Sequence, residues 1–148
     1  MHKNIPKVDE KKTKAALERA LFNYRDYLMT MPSDLMPTIT PAYSLISPSI
    51  TNSFNSKTEN AALERVEFER ARDAYTKKIH DAVATLKHEE RQIIIKRYLV
   101  EDVYYDVDIW TELNMGKTNY YKKKWQAMLR LAFALKIEVY QKRNAVAI

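Results

Sequence analysis

Leu17, Leu21, Tyr24 and Leu28 follow one another at spacings of 4, 3 and 4, while Lys11, Lys12, Lys14, Arg19 and Asp26 fall off that stripe. A period of 3.6 residues brings such positions to one face, which predicts an amphipathic helix from about Asp9 to Thr30. It stops before Pro32. Residues 31–56 then hold Pro32, Pro37, Pro41 and Pro48 and a single charge, Asp34. Proline fixes φ and removes a donor, so an irregular connection is expected, with Tyr43, Leu45 and Ile46 as the side chains able to pin it to a core.

Ser56-Lys57-Thr58-Glu59 fits a capping box and predicts the start of a second helix. Phe68, Tyr75, Ile79, Ala82 and Leu86 continue it at spacings of 7, 4, 3 and 4. Arg72 stands where another apolar residue is expected, which favours a helix packed in a bundle over a long coiled coil. Arg65/Glu69 and Asp73/Lys77 are spaced for surface ion pairs. The segment Leu86–Glu90 reads as a break, followed by a third helix from about Glu89 to Leu99 that buries Ile93, Ile94 and Tyr98. No strand-like alternation or hairpin dipeptide is evident. The expectation is an all-α chain: an N-terminal helix (1–30), a Pro-rich linker (31–56), a long helix (57–86), and a helix-turn-helix domain (87–148) ending a helical bundle.

That last assignment rests on residues 106–127. Ile109 and Leu113 lie four apart on a short helix, Asn114 tolerates the left-handed conformation that ends it, and Met115 can tuck beneath the turn. Gly116 can cap a final helix that begins at Lys117. Tyr120, Ala127 and Leu131 then face inward with the Lys124 stem beside them. Ile109, Leu113, Met115, Tyr120, Ala127 and Leu131 are therefore the expected core of a helix-turn-helix.

Composition narrows the chemistry. The 148 residues include no Cys, one Gly and three His. A disulfide framework, a cysteine nucleophile and a cysteine-bound zinc are excluded, and glycine-rich phosphate loops lack their glycines. No enzyme, cofactor or metal site is expected. Neither a signal-like apolar core nor an apolar run of membrane-spanning length is evident, so the cytoplasm of a bacterial host cell is the expected location, without a membrane partner.

The net charge of +6 is unevenly placed. Residues 117–148 carry eight bases against one acid, so the rest of the chain is nearly neutral. A local cationic field of this kind attracts a polyanion, and double-stranded DNA is the expected partner. At the start of the last helix, Lys117, Thr118, Asn119, Tyr121 and Lys122 form the edge expected to meet bases. Lys can donate to guanine, Asn can pair bidentately with adenine, and the Thr methyl can touch a thymine methyl. Phosphate contacts are expected from the Gly116 helix start and from Lys123, Lys124 and Arg130.

Other constellations carry less. Gly116-Lys117-Thr118 resembles the end of a phosphate-binding loop, but Thr111 stands where its first glycine is needed. Glu101, Asp102, Asp106, Asp108 and Glu112 fit no calcium-loop spacing; they read as an acidic face directed away from DNA, one that can meet a basic surface of RNA polymerase. His80 and His88 are separated by the helix break and do not suggest a metal pair. Tyr120 and Trp125 read as core residues rather than as platforms for stacking single-stranded bases.

Leu86, Arg91, Ile93, Ile94, Arg97 and Tyr98, followed by the two-helix pattern, resemble the final DNA-binding region of sigma factors. The chain as a whole resembles the ArpU family of phage and prophage transcriptional regulators. The resemblance covers roughly residues 10–140 and rests on Tyr24-Arg25-Asp26-Tyr27, Ser56 to Arg65, and Tyr120 to Leu135. It implies a DNA-binding regulator of phage late genes; a homodimer and host RNA polymerase are further candidate partners. Gly116 departs from the common capping Ser, and Trp110 from the small Ala often found at its place; the indole must therefore tilt into neighbouring apolar space. Two other readings remain: a small terminase-like packaging component that oligomerises through the Phe68–Leu86 stripe, and an adaptor that binds RNA polymerase alone.

Overall fold

The computed structural model describes residues 7–46 and 59–142. Helix α1 spans Glu10–Met29, α2 Glu59–Ala84, α3 His88–Ile94, α4 Asp106–Glu112 and α5 Lys117–Leu135. The chain is mostly helical. Ser56 and its capping box lie outside the described residues.

Each helix forms where its apolar stripe demands. Leu17, Leu21, Tyr24 and Leu28 of α1 are all buried, and Asp9 caps the helix by accepting a hydrogen bond from the Lys12 amide. They meet Ile79, Val83 and Leu86 from α2 and its end, Ile94 of α3, and Ala127, Met128, Leu131 and Leu135 of α5. The main core thus lies between α1, α2, α3 and α5. A second small cluster joins Ile93 to Ile109 and Tyr120. The first and last described residues lie together: Val8 bridges Tyr140, and Thr13 Oγ1 donates to the Val139 carbonyl at 3.1 Å.

The break between α2 and α3 is held by Glu90. Its buried carboxylate accepts from the Lys87 amide at 3.0 Å and from Arg130 Nε of α5 at 3.0 Å. After α3 the chain widens into a π-helical turn, Ile95–Leu99, closed by the Val100 amide donating to the Ile95 carbonyl at 3.1 Å. Arg25 of α1 reaches across to that end. Its guanidinium donates to the carbonyls of Tyr98, Val100 and Glu101 at 3.1, 2.6 and 2.9 Å.

Five expectations are corrected. A short antiparallel hairpin exists after all: β1 (Thr38–Ile39) pairs with β2 (Leu45–Ile46), across a turn in which Tyr43 takes a left-handed φ of 56°. Two-residue strands are too short for alternation to reveal. Tyr43 and Leu45 do pack on the core, whereas Ile46 is exposed. On α2, Phe68 is exposed and Arg72 is buried. The Arg72 guanidinium sits 3.3 Å from Asp73, while Lys77 pairs with Asp81, so the Asp73/Lys77 pair is replaced. Finally, Ile79, Ala82 and Leu86 are buried within this chain's own core, so the Phe68–Leu86 stripe is not free to hold subunits together.

His80 gives the bundle a pH dependence. Its imidazole Nε2 lies 2.6 Å from the Tyr24 hydroxyl between α1 and α2. Burial lowers its pKa from 6.5 to about 4, partly offset by the Asp81 charge. The unfolded chain therefore binds a proton at higher pH than the folded one. Stability is expected to fall as pH drops through 6.5 towards 4. Urea unfolding midpoints measured across that interval check this, and His80→Gln should flatten the decline.

Candidate nucleic-acid interface

Helices α4 and α5 meet at a turn of four residues, Leu113–Gly116. Backbone hydrogen bonds shape it: the Asn114 amide donates to the Thr111 carbonyl at 3.2 Å, and the Met115 amide to the Trp110 carbonyl at 2.8 Å. Asn114 adopts a left-handed φ of 54°, a conformation its short polar side chain tolerates. Gly116 sits at φ −74° and ψ 156°, an extended cap open to any residue. A Cβ there meets nothing within 4 Å, so the position has room for a capping Ser.

Within this pair, Ile109, Tyr120, Ala127 and Leu131 are fully buried. Leu113 and Met115 are half-buried against the Ile93–Ile109–Tyr120 cluster. Trp110 accommodates itself by lying against the rings of Tyr120 and Tyr121, at 5.6 and 5.9 Å between centroids. Trp125 is partly buried on the main core.

An interior ion cluster sets α5 against α4. Asp106, in the first turn of α4, accepts from the Tyr120 hydroxyl at 2.6 Å and from Lys124 Nζ at 2.9 Å, both on α5. Arg97 Nε stands 3.6 Å away, close enough for charge attraction but too far for a good hydrogen bond. Burial alone raises the Asp106 pKa, but the bonds from Tyr120 and Lys124 outweigh it and hold the carboxyl below its usual value. Burial pulls the Lys124 ammonium below its ordinary pKa despite Asp106. The Tyr120 phenol is pushed up, first by burial and then by donating to the carboxylate. A comparable arrangement holds the far end of α4: buried Lys96 Nζ lies 2.7 Å from Glu112 and over the rings of Tyr43 and Tyr104.

With Tyr120 and Lys124 turned inward, the opposite edge of α5 faces solvent. Lys117, Thr118, Asn119, Tyr121 and Lys122 are all exposed, as is Gly116. Among the described residues neither Lys117 nor Lys122 has an ion-pair partner. The phosphate set needs correction. Lys124 is 8% exposed and committed to Asp106, so its ammonium is not at the surface. Lys123 and Arg130 remain at the surface but are each paired with a carboxylate of α3, Glu89 at 2.9 Å and Glu90 at 3.0 Å. Asp106 likewise belongs inside the fold rather than to an acidic outer face. The signal for it was in the sequence: Lys124 on a stripe with Tyr120, Ala127 and Leu131 requires a buried counter-charge.

Two relatives are similar over nearly the whole chain. An uncharacterized phage-related protein of Listeria innocua is 28% identical over 135 residues, covering 91% of this chain and 94% of that protein. Protein Gp66 of Listeria phage A118 is 27% identical over 139 residues, covering 92% and 95%. This likeness supports a phage or prophage protein. No family model matches the chain, and no solved structure matches it. Among the described residues no helix is long and apolar enough to cross a membrane.

Proposed function

We propose that this protein is a sequence-specific double-stranded-DNA-binding regulator of phage or prophage late genes, and that α4 and α5 act as its helix-turn-helix. The observation that carries the reading is the two-sidedness of the first turns of α5. Tyr120 and Lys124 are locked to Asp106, while Lys117, Thr118, Asn119, Tyr121 and Lys122 form a solvent-facing edge of donors and cations. A helix about 10–12 Å across with its side chains fits the major groove, which is about 12 Å wide. The likeness to phage proteins supports the phage or prophage part of this reading. The protein performs no chemistry in this role, and neither metal nor cofactor takes part.

The experiment selects duplexes from a random pool with the full chain and measures their affinity as a function of salt. Lys122→Ala is expected to weaken binding across sequences and to reduce the slope of log K against log[salt] by about 1. Asn119→Ala should relax preference at one base position, on the order of 1–3 kcal/mol of discrimination. Selection that yields no preferred duplex overturns the reading.

A further inference from the structure

Residues 101–108 link the π-helical turn to α4 and present an unusual surface. Val103, Tyr104, Tyr105 and Val107 are all exposed, Tyr105 to 76%. A run this short rarely leaves so many large apolar side chains in water without a use. Tyr104 also rims a groove of about 420 Å³ between the β1–β2 hairpin and the π-helical turn, walled by Ile39, Pro41, Tyr43 and Val100. The charged side chains of the segment itself are all acidic, although the Arg25 guanidinium lies against its first carbonyl. Glu101, Asp102 and Asp108 are exposed, and among the described residues none of them has an ion-pair partner. The one cation in the groove, Lys96, is already neutralised by Glu112.

We propose that the 101–108 segment and the groove beside Tyr104 form a docking surface for a basic protein partner, one that places an apolar side chain against Tyr104 and Tyr105 between Lys or Arg residues. The acids repel nucleic-acid phosphates, which excludes this face from duplex contact and selects a cationic protein. Aromatic side chains flanked by complementary charge supply anchor and register together. The surface lies at the N-terminal end of α4, whereas the DNA-facing edge begins beyond its C-terminal end, so one small chain can hold DNA and a protein at once. The inference rests on the DNA-binding reading in one respect: a regulator of transcription meets its partner at RNA polymerase, and that enzyme is the probe.

The test measures binding of the full chain to purified RNA polymerase from the bacterial host, without DNA, and separately to a selected duplex. Tyr105→Ala and Asp108→Asn are the variants. Tyr105 precedes α4 without a side-chain capping bond, so its truncation removes aromatic surface and leaves the helix start intact. The expected result is a loss of polymerase affinity of about 10-fold for Tyr105→Ala, retention by Tyr105→Phe, a salt-sensitive loss for Asp108→Asn, and unchanged duplex affinity and melting temperature throughout. The proposal is overturned if the wild-type chain does not bind polymerase, if the variants bind as wild type does, or if light scattering shows the segment joining two copies of the chain. A chain that binds polymerase through this segment yet selects no duplex contradicts the DNA reading and leaves the docking surface standing.

Discussion

Asp106→Ala is expected to lower folding stability by about 2–4 kcal/mol, because it strands a nearly buried ammonium and a buried phenol at once. Both Lys124 Nζ and Tyr120 Oη spend their hydrogen bonds on Asp106 Oδ1. The magnitude stays below the largest values for broken buried pairs because the Asp106 side chain is 21% exposed and water can enter. A fall in melting temperature on the order of 10 °C corresponds to this loss. Asp106→Asn keeps an acceptor for Tyr120 but removes the charge facing Lys124, so a smaller loss is expected. Replacing the pair together, Asp106→Leu with Lys124→Met, should recover only the part of the loss due to the ammonium, since the Tyr120 phenol still lacks its acceptor. Acid gives an independent check. The carboxyl is held below its usual value of 3.8, so its contribution is present above that pH and lost as pH falls further. The functional consequence follows from place: with the cluster gone, nothing polar fixes the rotation of α5 against α4, and the exposed Lys117–Lys122 edge loses its fixed presentation.

Arg25→Ala is expected to cost about 2–3 kcal/mol. Its guanidinium is the only side chain among the described residues that donates to the carbonyls ending the π-helical turn, and it serves three of them. Those carbonyls have no helical partner, since the chain turns away into 101–105. Arg25→Lys should recover only part of the loss, because an ammonium is a point charge and cannot span three acceptors as a planar fork does. Denaturant unfolding of the two variants separates the charge from the fork. The same contact explains why Tyr24 and Arg25 read as a unit: Tyr24 is buried against His80, and its neighbour reaches the end of the π-helical turn that leads to α4.

Much of this fold was readable from periodicity. The stripes that mark α1 and α5 are strict, and the structure buries Leu17, Leu21, Tyr24 and Leu28 on one and Tyr120, Ala127 and Leu131 on the other. The left-handed Asn114 and the helix start at Lys117 were readable from turn chemistry alone. What escaped notice shares one cause. Arg72 and Lys124 stand on apolar stripes in the sequence, but a helical period cannot say which group receives each buried cation, Lys96 included. Their partners lie elsewhere in the chain, as with Lys124 and Asp106 eighteen residues apart. Arg25 and the π-helical turn were invisible for a similar reason: the carbonyls it serves lie more than seventy residues away. In the candidate interface, this difference moved Lys124 from the DNA list into the fold and left Lys117 and Lys122 as its unpaired cations.

Whether the outward edge of α5 meets duplex DNA is tested most directly by an amide-resolved NMR titration of the full chain with a selected duplex. The largest shifts are expected on Lys117 to Lys122, with those of 101–108 unmoved. Shifts confined to another surface, with that edge of α5 silent, would contradict that contact.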